Sequence, residues 1–190
     1  MSRETPPLAP PTPVALPAAT LRAWTVADAP LLRAALERSE SHLRAWTPWV
    51  VDGRVPGLSL EERLARHAAA FAGGEEWVYG LFDPAETEVL GGCGLYPRVG
   101  PGAVEIGYWL AAAHTGRGLA TLAAAALTRI AFDTLGVERV EIRCDPRNAA
   151  SARVPRRLGY TTDESSLSPE GLMVWRMTRE EYVHQPTHPG

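Results

Sequence analysis

The chain has 190 residues, 45% of them apolar, and a formal net charge of −3. That is enough apolar material for one well-buried domain, and it lacks the general basic field that draws a protein to nucleic acid or to an anionic membrane. All 19 basic residues are arginine, which excludes a lysine Schiff base, a lysine general base and the phosphate-binding lysine of a P-loop.

The first twenty residues, MSRETPPLAPPTPVALPAAT, are broken by proline too often to serve as the apolar core of a signal peptide. Residues 1–19 read as a disordered or polyproline-like leader. Globular patterning begins at Leu21 with a short strand, LRAW. Asp28 then caps an amphipathic helix through APLLRAALERSES, with Pro30 near the first turn, where a missing N–H costs nothing, and a second helical stretch follows around SHLRAW. TPWVVDGRVPG reads as a loop; after it Ser59 and Glu62 form the S-x-x-E capping box of a helix ending near FAGG. Three strands, EWVYGLFD, EVLGGCGLY and AVEIGYWLA, have connections short enough for an antiparallel meander.

Leu119 to Leu135 fits only a helix and RVEIRC is a strand again, which makes this passage the one clear βαβ unit. A helix from Asn148 to about Leu158, a strand at GYTT, a polar loop DESSLSPEG and a final strand LMVWRMT complete a single domain over 20–179, followed by a tail over 180–190. No apolar run is long enough to cross a membrane. Cys93 and Cys144 lie in apolar strand-like runs and read as reduced, buried thiols of a cytoplasmic protein. His42, His67 and His114 show no metal-ligand spacing and His184 and His188 fall in the tail, so no metal is assigned.

The loop HTGRGLAT matches the dinucleotide spacing G-x-G-x-x-T, and Glu141 lies about twenty residues on. A dinucleotide fold, however, carries this loop after its first strand and repeats βαβ units, whereas here it follows a meander. Its physics survives without that label. A glycine-rich turn entering a helix offers unsatisfied N–H groups and the positive end of the dipole to an anion such as a pyrophosphate. Gly116 and Gly118 allow close backbone approach, and Arg117 adds a charge where it points inward. On the loop alone, a plain glycine turn before a core helix is an equal alternative.

The run VEIGYWLAAAHTGRGLATLAAAALTRIAFDTLGVERVEIRCDPRNAASARVPRRLGY, together with LRAWTVADAPLL and SHLRAWTPWV, resembles the GNAT acyltransferase superfamily and within it the RimJ/RimL-like branch, from about Leu21 to Thr178. The resemblance implies an α+β fold: a mixed, mostly antiparallel sheet of six to seven strands flanked by helices, with a V-shaped opening between the fourth and fifth strands. It implies acetyl-CoA as co-substrate, held by the loop residues Thr115, Gly116, Arg117, Gly118, Leu119, Ala120 and Thr121, with Thr115 where a Gln or Arg is usual. Ile106 to Leu110, including Tyr108 and Trp109, would lie along the acyl-CoA, and a backbone N–H near Tyr108 or Trp109 would be the oxyanion donor.

The same resemblance makes Glu105 the candidate base. Strand alternation alone leaves open an outward-facing structural charge, because the sequence around Glu105 is apolar on both parities. Asn148 and Ser151 match the branch's N-x-x-S pattern. Asn148 would contact the pantetheine and is also a good N-cap, and Ser151 would assist the leaving thiolate. Pro155 stands where many members carry a tyrosine acid, and its missing N–H leaves the Ser151 carbonyl open toward the cofactor. Trp46 and Trp49, flanking Pro48, are candidates to line the acceptor site, while most of the other tryptophans read as core.

The implied reaction is acetyl transfer from acetyl-CoA to a primary amine by direct attack in a ternary complex. The acidic balance favours a small-molecule or peptide amine over a ribosome-bound acceptor. No nucleic acid or membrane partner is expected, and a homodimer is left open. Two other readings stand beside this one: a non-catalytic acyl-CoA-binding or regulatory module, given Thr115 and Pro155, and more distantly a nicotinamide-dependent oxidoreductase.

Overall fold

A computed structural model describes residues 9–52 and 57–185, with residues 164–166 described by their backbone alone. The strands are β1 Val14–Leu16, β2 Ala19–Ala23, β3 Trp77–Phe82, β4 Val89–Tyr96, β5 Ala103–Leu110, β6 Arg139–Cys144, β7 Thr161–Leu167 and β8 Met173–Thr178. The helices are α1 Ala29–Trp46, α2 Pro48–Asp52, α3 Leu60–Gly73, α4 Leu119–Arg129, α5 Ala149–Arg157 and α6 Arg179–Val183. The strands make one sheet in the order β1-β2-β3-β4-β5-β6-β8-β7. Every neighbouring pair is antiparallel except β5 and β6, which run parallel on either side of α4.

That parallel pair opens the sheet. Ala103 to Ile106 pair with Arg139 to Ile142, after which β5 continues to Leu110 against β4 alone, and Arg143 and Cys144 pair only with β8. The expected V-shaped opening therefore lies past Ile106, at the carboxyl ends of two parallel strands. Both faces of the sheet are covered. One carries Val104, Ile106, Val140 and Ile142 against α4 and α5, the other Trp24, Val78 and Phe82 against α1 and Leu64 of α3. Burial on both sides is why β4 and β5 show no apolar alternation.

Several local expectations change. Val14–Leu16, assigned to a disordered leader, is an eighth, edge strand paired with β2. Pro13 and Pro17 flank it rather than interrupt it, and an edge strand tolerates them. The segment is also tied down by Ala23 N–H donating to Thr12 Oγ1 at 2.8 Å and Tyr79 Oη donating to the Pro11 carbonyl at 3.2 Å. Residues 1–8 of that leader lie outside the described residues. The two helical stretches before residue 46 are one helix, α1. Within it the buried Ser39 accepts from Ala112 N–H at 3.0 Å through its hydroxyl instead of competing for its own backbone.

Asp28 precedes α1 but does not cap it with its carboxylate. It is the third residue of a 3-10 turn, and its oxygens accept from Thr25 and from the Arg22 guanidinium. The Ser59 and Glu62 capping box of α3 forms as expected, and Gly74 ends that helix in the left-handed conformation. The segment expected as a loop after Trp46 contains α2; residues 53–56 lie outside the described residues. Leu119–Leu135 is helical, but from Ile130 to Thr134 it widens into a π turn. Arg179 takes up one carbonyl there, donating to Phe132 at 2.9 Å, and one just beyond it, at Val137, at 2.8 Å. The polar run after Thr162 extends β7 as a bulged edge strand. The expected tail begins with α6, whose capping box joins Thr178 and Glu181; residues 186–190 lie outside the described residues. No helix among the described residues is long and apolar enough to cross a membrane.

Candidate active site

A single cleft of about 1450 Å³ runs through the opening between β5 and β6. Its two halves lie on opposite sides of β5. One is walled by the loop before α4, the end of β6 and α5, the other by α1, α2 and the opposite face of β3 to β5. Of the residues picked out in the sequence, Glu105, Ile106, Tyr108, Trp109, Leu110, Thr115, Gly116, Gly118, Ala120, Thr121, Asn148 and Ser151 line it, and so do Trp46 and Trp49.

Two do not. Leu119 is 4% exposed and packs into the core under α4. Arg117, expected to add an inward charge, is exposed, and its guanidinium lies 3.5 Å from His114 Nδ1. The reason is helical phase. Once α4 starts at Leu119, the first residue must turn onto the sheet, and the residue before the cap projects outward toward His114. His114 is buried and places Nε2 3.2 Å from Glu88, the residue before β4.

In the first half the loop is backbone architecture. Gly116 (φ 75°) and Gly118 (φ 78°) are both left-handed, a conformation that side chains resist. A Cβ at either would meet nothing within 4 Å, so φ alone requires glycine there. Gly118 caps α4, and the first-turn N–H groups at Ala120 and Thr121 have no helical acceptor. Thr115 turns its hydroxyl to the Ala112 carbonyl at 3.0 Å, leaving recognition to the backbone. Across the cleft, Asn148 Oδ1 caps α5 by accepting from Ser151 N–H at 3.0 Å. Tyr108 reaches over from β5, placing its hydroxyl 3.1 Å from both the carbonyl oxygen and Oγ of Ser151. Burial pushes the Tyr108 phenol and the Cys144 thiol up, so both stay protonated at neutral pH.

The second half has a floor of glycine. Gly80, Gly92, Gly94 and Gly107 share one face of β3, β4 and β5, and aromatic rings lie across them. A Cβ on Gly92 would sit 2.6 Å from Trp109 Nε1, one on Gly94 2.9 Å from the Tyr96 ring, and one on Gly107 3.2 Å from the same ring. Above this floor stand Trp46 and Trp49, 36% and 46% exposed. Arg63 of α3 holds α2 in place by donating to the carbonyls of Val50 at 2.8 Å and Val51 at 3.4 Å.

Glu105 points into this half and is buried. Both of its oxygens accept from Arg98, at 3.0 Å from Nε and 2.6 Å from Nη2. Register places Glu105 opposite Tyr96 on one side and Glu141 on the other. Glu141, 3% exposed, is surrounded by Arg143 at 2.9 Å, Arg139 at 3.1 Å and Arg176 at 3.2 Å. Burial alone would raise its carboxyl, but the hydrogen bonds from Arg143 and Arg176 outweigh that and hold it below the usual glutamate range. Arg143 also lies 3.9 Å from Glu105, and so links the two carboxylates at the point where the strands part. Sequence reading missed Arg98, Arg143 and Tyr96. Hairpin register was the signal available for the first, since the β4 to β5 turn brings Arg98 beside Glu105.

A family model described as an acetyltransferase (GNAT) domain matches residues 19–161, and the chain belongs to that family. It is 31% identical over 124 residues to the protein named Probable N-acetyltransferase YjcK of Bacillus subtilis (strain 168). That match covers 63% of this chain and 64% of the relative, so the chain spans just under two thirds of that curated relative's length. Among solved structures it is similar to Mycobacterium smegmatis RimJ in complex with CoA-disulfide, with a TM-score of 0.74 at 24% identity over 93% of this chain and 90% of the other. It is also similar to the ribosomal-protein-S5-alanine acetyltransferase of Vibrio fischeri, with a TM-score of 0.73 at 17% identity over 93% of this chain and all of the other. These likenesses give the same mixed, mostly antiparallel fold, RimJ/RimL-like in type.

Proposed function

We propose that the protein transfers the acetyl group of acetyl-CoA to a primary amine, by direct attack in a ternary complex. One observation carries the reading: a continuous cleft passes through the opening between β5 and β6 and joins an anion-ready helix terminus to a pocket holding a buried carboxylate. Gly116, Gly118 and the first turn of α4 would hold the pyrophosphate, and Asn148 and Ile106 to Leu110 the pantetheine arm. Past Ile106, β5 has no ladder partner on its β6 side, so a backbone N–H near Tyr108 or Trp109 is free to meet the thioester oxygen.

An ammonium must lose a proton before its nitrogen can attack. Glu105 receives it through water. Arg98 uses two of the roughly four lone-pair directions of the carboxylate, and Glu105 lines the cleft. The acceptor we favour is the α-amine of a peptide or protein N-terminus. Its ordinary pKa near 8 leaves part of it neutral at pH 7, whereas a lysine-type amine near 10.4 asks more of a base engaged by arginine. The solved structures named for acetyltransferases of ribosomal proteins point the same way.

The experiment is thermal unfolding with acetyl-CoA, CoA and NAD, followed by thiol release with a dipeptide and with Nα-blocked lysine as acceptors. Acetyl-CoA at about a hundred times its Kd adds roughly 2.7 kcal/mol of stability, and NAD adds none. No shift with either CoA species at millimolar concentration would overturn the reading. Faster release with blocked lysine than with the dipeptide would overturn the choice of acceptor.

A further inference from the structure

Ser151 is held at three atoms, more than a residue in a first helical turn needs. Its N–H is given to Asn148 Oδ1 at 3.0 Å, and its carbonyl oxygen and Oγ each lie 3.1 Å from Tyr108 Oη. A phenol has one proton. The carbonyl can only accept, so when Tyr108 donates there its oxygen remains free to accept from Ser151 Oγ–H. When Tyr108 donates to Oγ instead, the serine proton is released to point elsewhere.

Pro155 leaves that carbonyl without a helical partner. Four residues beyond Ser151, a proline inside α5 has no N–H to close the helical bond on that oxygen. The helix continues around the gap, with Ala152 N–H donating to the Asn148 carbonyl at 3.1 Å and Leu158 N–H to the Val154 carbonyl at 3.2 Å. The titratable groups beside the pair, the Cys144 thiol and the Tyr160 phenol, are both pushed up by burial and carry no charge at neutral pH. The hydroxyl direction at Ser151 is therefore decided by hydrogen bonds.

We propose that Tyr108 is a positioning residue that aims the Ser151 hydroxyl at the sulfur of the leaving CoA, with Pro155 leaving the Ser151 carbonyl as the competing acceptor for the Tyr108 proton. This rests on the acetyl-CoA reading above. As the amine nitrogen bonds to the acetyl carbon, the carbon–sulfur bond breaks and its electron pair stays on sulfur. Ser151 Oγ–H donates a hydrogen bond to that thiolate and keeps its proton, because Tyr108 behind it does not ionise. Glu105 passes the ammonium's first proton on to solvent and takes the second as the tetrahedral nitrogen becomes an amide, and the thiolate is protonated by solvent after release.

The test needs no acceptor. The thiol of free CoA, bound to the full chain at saturating protein, is titrated by its thiolate absorbance, after a melting experiment has established binding. The wild type lowers the titration midpoint of bound CoA. Tyr108→Phe and Ser151→Ala each bring it back up by about 0.5–1 pH unit, the worth of one hydrogen bond. Pro155→Ala gives the Ser151 carbonyl an N–H of its own, so the midpoint stays where it is or falls further.

A purely structural role for Tyr108 would change CoA affinity or melting temperature and leave the sulfur midpoint alone. Equal midpoints for wild type and Tyr108→Phe with CoA bound would overturn the proposal and leave the acetyl-CoA reading standing. A midpoint raised by Pro155→Ala as much as by Tyr108→Phe would overturn the part assigned to the carbonyl. Failure of the wild type to bind CoA at all would overturn both.

Discussion

The two halves of the cleft are made of different material. Beside α4 the surface is mainly backbone: two left-handed glycines, the open first turn of a helix and the unpaired edge of β5. Under α1 and α2 it is side chain nearly throughout: Trp46, Trp49, Tyr96 and Trp109 over a glycine floor, with Glu105 clasped by Arg98. A backbone site depends on φ and on helix position, so Thr115 can stand where the family usually has Gln or Arg. A side-chain site depends on register and packing, so one added methyl is felt.

The comparison breaks most sharply at Glu105. Glu105→Gln is nearly isosteric and should lower turnover about a hundredfold or more while the stabilisation by acetyl-CoA is unchanged. Turnover within tenfold of wild type in a thiol-release assay would remove Glu105 from the proton path. Next comes Glu141, which belongs to neither half and holds the sheet together where they meet. Glu141→Gln should cost about 2–3 kcal/mol in denaturant unfolding at pH 7, because three arginines lose a buried partner.

The sign of the pH dependence follows from a carboxyl held below its ordinary value of 4.5. Its contribution is complete above pH 4.5 and is lost as pH falls through the lower folded value. The stability gap between wild type and Glu141→Gln should hold steady from neutral pH down to about 4.5 and narrow below it. A gap that widens in acid would contradict the arginine pairing.

Smaller effects separate the halves. Gly118→Ala places a side chain at φ 78°, a strain of about 1–2 kcal/mol, and should weaken acetyl-CoA binding about tenfold in calorimetry with little change in the KM of the amine. Gly92→Ala should do the reverse. Its Cβ would push Trp109 toward the acceptor side, raising the amine KM about fivefold, as overpacking by roughly 1 kcal/mol implies, with CoA affinity intact. Equal effects of both variants on both ligands would show that the halves are not separable. Arg117→Ala is the smallest: its side chain lies outside the cleft, so CoA affinity should change less than about twofold, the scale of an exposed charge.

Much of the frame was legible along the chain because its signals are local. The Ser59 and Glu62 capping box, Asn148 as an N-cap, the glycines before α4 and a Ser151 carbonyl that Pro155 leaves without a helical partner all depend on backbone hydrogen bonds within a few residues. Glu105 was picked out from family resemblance and could not have been picked out by alternation, because helices cover both faces of β5. Where local signals misled, a distant partner had overridden them. Asp28 looked like a cap until Arg22 took its oxygens. Val14–Leu16 looked like leader until β2 supplied a ladder.

By itself, then, the sequence determined not the short elements Val14–Leu16, Pro48–Asp52 and Arg179–Val183 but the central strands and the longer helices, where the chain must turn left-handed, and that a helix start follows the glycine loop. These are decided by torsions and hydrogen bonds between near neighbours. Only the tertiary structure decided that Arg98 faces Glu105, that Arg143 lies between two carboxylates, that Tyr108 crosses to Ser151, and that Arg117 turns toward His114 and away from the cleft. Those meetings depend on strand register and helix phase, and both are fixed by burying side chains far apart in the chain.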